Sequence, residues 1–250
     1  MKASVIIPIL YVEPQLEQTV RRLVALRERV DLELLFVVDV PDPAREREAR
    51  TENGRAAAES GAVTVYRIGR RGFGSALREG FGRATGDVVI PFMADACDDP
   101  DDIPVLLEAI ERGWDVVGGS RYMPGGRIVG NTLKQRLSRL YGLLVRLVGG
   151  PPIHDVSNAF KAYRRTVVEA VVTEAESYDV SVELTVKAYQ AGFAVTEVPT
   201  TWTNRELGES NWRFSREFRR YRRWLGLAAR GRRRARRTEP APSPRPSERP

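Results

Sequence analysis

The first half of the chain alternates short apolar runs with segments of helical periodicity. The apolar runs, which predict strands, lie at 4–10, 32–38, 62–68, 88–92 and 114–118. Between and after them, helices are predicted over 16–24, where apolar residues recur at helical spacing, over 44–60, which is rich in Ala, Glu and Arg, and over 75–84 and 103–112. Strands that alternate with helices build a mostly parallel sheet with helices on both faces. The sequence therefore predicts an α/β fold with a Rossmann-like sheet.

The second half is less regular but continues the same class of elements. It predicts helices over 132–148 and 180–191, the second closed by Gly192, and strands over 158–163 and 193–198. No run of eighteen apolar residues occurs, so no membrane span is predicted. The single Cys97 excludes an internal disulfide, and the N-terminus lacks a signal-peptide pattern. We therefore expect a cytoplasmic protein.

Charge is distributed unevenly along the chain. Residues 1–212 carry a net charge of −4, whereas 213–237 contain 12 Arg and one Glu. The tail, 238–250, is rich in Pro and Ser, is neutral overall, and is predicted to be disordered. The acidic body argues against a nucleic-acid partner, which would favour a basic one.

The basic segment 213–237 has a helical apolar face. That face comprises Phe214, Phe218, Tyr221, Trp224, Leu225 and Ala228. An amphipathic helix with basic flanks is typical of a segment that lies in an anionic membrane surface. The alternative is a helix packed on the main domain 1–212, with a solvated basic face.

The apolar run 88–92 is followed by five aspartates in eight residues, beginning at Asp95 and Asp98 and continuing through Asp99. Ligands of open α/β sheets bind at the carboxyl ends of strands, where these acids are predicted to lie. Carboxylate oxygens there suit a hard divalent cation that can hold a diphosphate. The alternative is that acids before residue 103 cap the following helix. We expect both roles, with Asp95 and either Asp98 or Asp99 facing the ligand.

Two other segments of the first half indicate a phosphate or nucleotide site. The turn at 69–80 contains Arg71, Gly72 and Gly74, and its glycines let backbone approach a ligand next to a helix N-terminus. Its alternative is a tight connection between strand and helix. Asp39 ends the second predicted strand, where its carboxylate can accept hydrogen bonds from a base or a ribose. Its alternative is a turn rich in Pro and Asp.

Basic and hydroxyl side chains after the fifth predicted strand suggest a phosphate clamp. Arg121 follows that strand, and Lys134 and Ser138 lie four residues apart, on one face of a predicted helix. The alternative for Lys134 and Ser138 is a solvated helix face. The only histidine, His154, is not expected to be catalytic, because no nucleophile is tied to it by the sequence.

These segments occur in an order that resembles the family 2 glycosyltransferases of GT-A fold. Within that family the chain resembles the polyprenyl-phosphate sugar synthases, such as dolichol-phosphate mannose synthase. The resemblance covers roughly residues 3–212 and rests on the order and spacing of many short motifs. Those motifs lie at 4–8, 37–39, 72–80, 84–87, 95–100, 119–122, 155–161, 197–199 and 205–210.

The resemblance implies a nucleotide-sugar donor and a role for each candidate residue. Residues at the base and ribose would be Pro8, Glu13 and Asp39, with Arg71, Gly72 and Gly74 adding to the nucleotide site. Mg²⁺ or Mn²⁺ would be held on the diphosphate by Asp95 and Asp98, with Asp99 as a further candidate. A loop with Arg205 and Ser210 would close over the donor phosphates. The acceptor phosphate would be gripped by Arg121, Lys134 and Ser138.

One departure from the family pattern concerns the metal site. The family usually has Asp-x-Asp followed two residues later by Gln. Aligning on Pro100 places Ala94 and Ala96 at the two Asp positions and Asp98 at the Gln. Aligning on Asp95 places Cys97 at the second Asp, so either register loses one carboxylate and leaves the ligand set open.

The activity that the resemblance implies is inverting transfer of a hexosyl unit from a nucleotide-sugar to a polyprenyl phosphate. The catalytic residues would be Asp95, Asp98 and Arg205. The enzyme would be metal-dependent and peripheral at the inner face of the membrane. The alternative is a GT-A transferase that uses a soluble saccharide or a protein as its acceptor.

Overall fold

A central seven-stranded sheet organises the computed structural model, which describes residues 1–70, 72–130, 133–204 and 214–235. Its order is β3-β2-β1-β4-β7-β5-β8, and β6 and β9 pair separately. The strands are β1 (Ala3–Leu10), β2 (Leu32–Val40), β3 (Val63–Ile68), β4 (Val88–Pro91), β5 (Val116–Ser120), β6 (Arg127–Val129), β7 (Lys161–Arg164), β8 (Val195–Pro199) and β9 (Thr201–Thr203).

Eight α-helices are formed by the described residues. They are α1 (Leu16–Ala25), α2 (Glu46–Ser60), α3 (Phe73–Arg83), α4 (Ile103–Glu111), α5 (Leu133–Val148), α6 (Arg165–Ala170), α7 (Val180–Gln190) and α8 (Phe214–Ala235). All neighbouring strands of the large sheet pair in parallel except β7, which is antiparallel to both β4 and β5. The predicted fold class, a mostly parallel sheet flanked by helices, is confirmed.

Each face of the sheet packs against its own apolar cluster. Along β1, Val5 and Ile7 belong to one cluster, whereas Ile6 belongs to the other, because successive side chains of a strand point to opposite faces. The first cluster includes residues of α1, α2 and α4, and the second includes residues of α3, α7 and α8. Burial on both faces explains why the strands are nearly continuous apolar runs.

The last described helix, α8, packs on the main domain. Trp224 and Ala228 are buried, and the Trp224 indole Nε1 donates to Asp179 Oδ2 at 2.7 Å. The Tyr141 hydroxyl donates to the carbonyl of Tyr221 at 2.9 Å. These contacts match the packed alternative for part of the apolar face, and the membrane-interface role of 213–237 stays a prediction. The tail 238–250 lies outside the described residues.

In the described part of the chain, no helix combines the length and the apolar character needed to cross a lipid bilayer.

Candidate active site

The acidic segment leaves the sheet at the carboxyl end of β4. The backbone N–H of Phe92 donates to the carbonyl of Ile6, which continues the pairing with β1, and the Phe92 ring packs edge-on against Phe160. Two residues later, the carbonyl of Ala94 accepts a hydrogen bond from the buried hydroxyl of Thr19. Contacts with β1 and with α1 therefore fix the position of the chain immediately before Asp95. The acids therefore lie at the carboxyl edge of the sheet, as predicted.

The acidic segment is also joined to β9. Asp98 forms an antiparallel bridge with Trp202, and the N–H of Thr203 donates to the carbonyl of Cys97 at 2.8 Å. The Asp102 carboxylate accepts from the N–H of Thr201 at 2.9 Å. Strand β9 thus holds the acidic segment in place, and the chain continues from β9 toward 205–213.

Asp95 and Asp98 are the buried members of the acidic group, at 8% and 3% exposure. Burial, together with the neighbouring Asp95 carboxylate, raises the pKa of Asp98 to about 7 against the opposing effect of Arg121. Between them, Ala96 adopts the left-handed conformation with φ of 55°. The carboxylate oxygen Asp98 Oδ1 is buried without a hydrogen-bond partner among the described residues. Such an oxygen, beside a second carboxylate, fits a hard cation.

Asp99 makes different contacts. Its carboxylate accepts from the N–H of Asp101 at the start of a short 3₁₀ turn, and it pairs with Arg22. Asp101 in turn pairs with Arg29 at 2.6 Å. These are the contacts of the helix-capping alternative, so the metal role of Asp99 stays a prediction with no support from its surroundings. Across the described residues, no group of three or more His, Cys, Asp and Glu side chains is arranged to hold a metal ion.

Arg121 and Ser138, predicted to grip a phosphate, are brought together around Asp155. The Arg121 guanidinium binds the Asp155 carboxylate through two hydrogen bonds, Nε to Oδ2 at 2.6 Å and Nη2 to Oδ1 at 3.0 Å. Ser157 donates to Asp155 Oδ1 at 3.3 Å, and its hydroxyl lies 2.6 Å from that of Ser138. Lys134 lies on α5 one turn before Ser138, and its side chain is outside the described residues.

The Asp155–Arg121 pair is buried, with its carboxylate 1% exposed. Burial pushes the pKa of the Asp155 carboxyl up, but the attraction and hydrogen bonds of Arg121 outweigh it and bring that pKa below its usual value. Ion pairs of this kind are costly to break by removing one partner. Arg121 is therefore held in one orientation before any ligand arrives.

The turn 155–158 lies between the Arg121–Ser138 group and the acidic segment. Asn158 donates from its side chain to the carbonyl of Gly119 at 2.9 Å, and its side chain lowers the pKa of the nearby Asp98 carboxyl. Lys161 is buried next to the turn, and Glu197 lies beside it with its side chain 8% exposed. The sequence alone does not indicate a role for these residues. The available signal was a group of polar residues, Asp155, Ser157 and Asn158, just before an apolar strand.

The residues predicted at the base and ribose meet where β1 and β2 end. The register places Pro8 opposite Val37, and the N–H of Tyr11 donates to the carbonyl of Asp39 at 3.0 Å. Glu13 accepts in the same turn through its carbonyl, from Leu16. The three predicted residues thus share one edge of the sheet, and their contact with a nucleotide stays a prediction.

The Asp39 side chain connects this edge to the Gly-rich turn. Its carboxylate accepts from Arg67 Nε at 2.6 Å and from the N–H of Gly72 at 3.0 Å. This pairing accounts for the burial of both charged side chains.

Packing accounts for the glycines of that turn. A Cβ on Gly74 would lie 1.9 Å from the carbonyl oxygen of Ala175, and the N–H of Gly74 donates to the carbonyl of Glu176. Gly72 has φ of 148°, which favours glycine. These contacts match the tight-connection alternative, and nucleotide binding by Gly72 and Gly74 stays a prediction.

Three predicted site residues lie outside the described residues. These are Arg71, Arg205 and Ser210. His154, which was not expected to be catalytic, is hydrogen-bonded on both ring nitrogens, through Nδ1 to Glu197 and through Nε2 to Arg146. The ring therefore joins β8 to α5, consistent with a structural role.

Comparison with known proteins identifies the family. A model of "Glycosyl transferase family 2" matches residues 4–172, which is more than half of the chain. The chain belongs to glycosyl transferase family 2. This confirms the resemblance drawn from the order of the sequence motifs.

Curated relatives of this family 2 chain carry the names of polyprenyl-phosphate sugar transferases. A polyprenol monophosphomannose synthase of Mycolicibacterium smegmatis is 35% identical over 58% of the chain and 58% of its own length. A dolichol-phosphate mannosyltransferase of Pyrococcus furiosus is 32% identical over 84% of the chain and 59% of its own length. An undecaprenyl-phosphate mannosyltransferase of Micrococcus luteus is 33% identical over 74% of the chain and 78% of its own length. The chain thus spans about three fifths of the first two relatives.

Solved structures support the same fold at lower identity. Glucosyl-3-phosphoglycerate synthase from Mycobacterium tuberculosis, in complex with UDP, has a TM-score of 0.65 at 18% identity, over 92% of this chain and 79% of that one. A second structure of that enzyme contains Mn²⁺, UDP and glucosyl-3-phosphoglycerate. Its TM-score is 0.63 at 19% identity, over 91% of this chain and 78% of that one. A third contains Mg²⁺ and UDP. At this identity the likeness shows the shared GT-A fold.

Proposed function

We propose that this chain transfers a hexosyl unit from a nucleotide-sugar to a polyprenyl phosphate, with inversion at the anomeric carbon, at the inner face of a membrane. The observation that carries the proposal is the buried Asp98 carboxylate, whose Oδ1 has no partner in the described chain. The guanidinium of Arg121, held by Asp155, is close enough to this carboxylate to lower its pKa. In our proposal a cation site thus lies beside a phosphate clamp, as a donor diphosphate and an acceptor phosphate require.

Asp95 and Asp98 would hold Mg²⁺ or Mn²⁺ at the donor diphosphate. The cation, when bound, supplies charge neutralisation of the leaving diphosphate. Their burial keeps water away from the carboxylates, which strengthens their electrostatic attraction for a cation. The curated relatives whose names include polyprenol, dolichol phosphate or undecaprenyl phosphate support the acceptor class. The solved Mn²⁺–UDP and Mg²⁺–UDP complexes support the cation.

The acceptor side needs positioning rather than a strong base. The second pKa of a phosphate monoester is about 6, so its oxygen is already ionised and nucleophilic at neutral pH. Arg121 donates toward Asp155 through Nε and Nη2, and Ser138 lies within the same network. In our proposal these groups, with Lys134, orient the acceptor oxygen toward the anomeric carbon. Positioning and electrostatic stabilisation are the main sources of rate in such a transfer.

A second surface supports a membrane-bound acceptor. Helix α5, which carries Ser138, exposes a leucine stripe made of Leu140, Leu143, Leu144 and Leu147. These positions recur at helical spacing along one face. Exposed arginines flank the stripe at Arg136, Arg139 and Arg146. An apolar face bordered by arginines fits the interface of an anionic bilayer.

Helix α8 extends this basic surface. It packs beside α5 through Tyr141 and Tyr221, whose rings meet edge-on with centroids 5.0 Å apart. Its exposed residues include Arg222, Arg223 and Arg230. We propose that α5 and α8 together bring the phosphate clamp to the membrane, where a polyprenyl phosphate resides.

A transfer assay tests the proposed activity. The chain is incubated with a panel of nucleotide-sugars, a short-chain polyprenyl phosphate and Mg²⁺ or Mn²⁺, and the product is detected by mass. We expect a glycosyl phosphoprenol that is lost with EDTA and lost in Asp98→Ala. The matched control is Asp101→Ala, which removes an exposed carboxylate of the same segment and should retain activity. Product formation only on soluble saccharide or protein acceptors would favour the alternative transferase and overturn the lipid acceptor.

Vesicle cosedimentation tests the membrane surface separately. We expect binding to vesicles that contain phosphatidylglycerol and weak binding to pure phosphatidylcholine. The triple variant Leu140→Gln, Leu143→Gln and Leu144→Gln should lose binding, whereas Val172→Gln, at an exposed apolar position elsewhere, should not. Unchanged binding of the triple variant would contradict the role of the leucine stripe.

A further inference from the structure

Lys161 is a lysine buried inside the sheet. It is the first residue of β7, its exposure is 0%, and β7 is hydrogen-bonded between β4 and β5. Its ammonium group donates to the carbonyl of Val156 at 3.0 Å and to the carbonyl of Asn158. A buried ammonium group carries a large desolvation cost, which a methionine of similar shape would avoid. The position therefore calls for an explanation other than packing.

The turn 155–158 is held from two sides by the side chains of Lys161 and Glu197. Lys161 donates to two of its backbone carbonyls. Burial lowers the pKa of Lys161 to about 7, and its amine can donate to both carbonyls in either protonation state. Glu197 accepts from two backbone N–H groups at the start of the turn, those of His154 at 2.7 Å and Asp155 at 3.3 Å. Its carboxylate makes charge-assisted hydrogen bonds, which are stronger than neutral ones. The backbone of this turn is therefore fixed more firmly than its loop position alone would allow.

Two side chains of the turn contact the residues proposed to grip the acceptor phosphate. Asp155 orients Arg121, and Ser157 contacts Ser138. A small movement of the turn backbone would displace the guanidinium and the hydroxyl together. Misplacement of positioning groups by about an ångström is enough to lower the rate about a hundredfold.

We propose that Lys161 is a positioning residue for the acceptor phosphate, acting through the turn 155–158 on Arg121 and Ser138. The inference rests on the proposed function, because it assigns Lys161 to the acceptor side of that reaction. Lys161 does not touch either substrate. Its removal should therefore weaken the response to the acceptor far more than the response to the donor.

Kinetics of Lys161→Met test this inference. We expect the acceptor KM to rise at least about tenfold, as loss of two buried hydrogen bonds implies, while the donor KM changes less than about twofold. Titration of farnesyl phosphate into the donor-free protein should show a matching loss of affinity. Lys161→Arg, which can still donate to both carbonyls, should recover part of the acceptor affinity. The matched control is Tyr163→Leu, a buried change on the same strand that leaves the turn contacts in place.

The outcomes separate the inference from the proposed function. If Lys161→Met folds poorly, Glu197→Gln replaces it, because that variant weakens the turn contacts from the other side and should give the same split in KM. Equal changes in both KM values, matching those of Tyr163→Leu, would overturn the positioning role while the proposed function stands. A wild-type protein that neither binds nor glycosylates prenyl phosphates would overturn the proposed function and this inference with it.

Discussion

Replacing Asp98 by Asn should stabilise the metal-free protein while abolishing its activity. Burial, with the nearby Asp95 carboxylate, raises the pKa of Asp98 from 3.8 to about 7. Each pKa unit corresponds to about 1.4 kcal/mol, so the ionised carboxylate destabilises the fold by about 4 kcal/mol. The unfolded chain ionises Asp98 near pH 4 and the folded chain near pH 7. The free energy of unfolding should therefore fall as pH rises through that window, and stay low above it.

Urea denaturation in EDTA measures this effect. The stability of Asp98→Asn relative to wild type should increase by about 3 kcal/mol between about pH 5 and about pH 8. The unfolded and folded pKa values of Asp98 differ by roughly three units, and roughly two of those units lie above pH 5. Adding Mg²⁺ at the higher pH should stabilise the wild type and leave the variant unchanged. The control is Asp101→Asn, an exposed carboxylate, whose difference from wild type should not grow with pH.

Two results would refute the reasoning. A stability difference between Asp98→Asn and wild type that is the same at both pH values would show that the carboxylate is not penalised by burial. Full turnover by Asp98→Asn would show that the group is not needed to hold a cation. The denaturation assay and the turnover assay are independent, so either prediction can be wrong while the other is correct.

Three further predictions concern packing and pairing. Trp224→Ala should destabilise the protein by about 3–5 kcal/mol in urea denaturation, because a buried indole is lost. Asp155→Asn should remove stability that is present above the usual aspartate pKa and lost as pH falls below it, since the pKa of Asp155 is lowered; thermal denaturation between about pH 3 and about pH 7 measures this. Gly74→Ala should destabilise strongly through backbone collision, whereas Gly82→Ala, in open space on the same helix, should stabilise by about 0.4–1 kcal/mol in the same assay.

The sequence predicts the large strands well because they are buried on both faces. Such strands are continuous apolar runs, and β1, β2 and β4 begin within a residue of the predicted positions. The short strands β6 and β9 were not predicted, because three partly exposed residues carry no detectable period. The antiparallel direction of β7 could not be predicted either, because strand direction is set by long-range pairing rather than by local sequence pattern.

The prediction for 158–163 shows why element boundaries fail near a site. The strand begins only at Lys161. Before it, the Asn158 side chain hydrogen-bonds the carbonyl of Gly119 from the turn, and the Phe160 ring packs against Phe92. The polar side chains of such a segment serve contacts far along the chain. Asp155, for example, binds Arg121 from 34 residues away. A local pattern can identify the residue types of the site, but it cannot pair them.

The acid group departs from the family's Asp-x-Asp spacing, yet two carboxylates still meet. Asp95 and Asp98 are three residues apart, and Ala96 turns the chain between them through its left-handed conformation. The charge of Asp95 is the second largest cause of the raised pKa of Asp98, which requires the two carboxylates to be close. Nearby, Arg121 pairs with Asp155, and burial is the largest cause of the raised pKa of Asp98. A divalent cation at this point would relieve both the repulsion and the burial cost, so the longer spacing is compatible with the metal role predicted for Asp95 and Asp98.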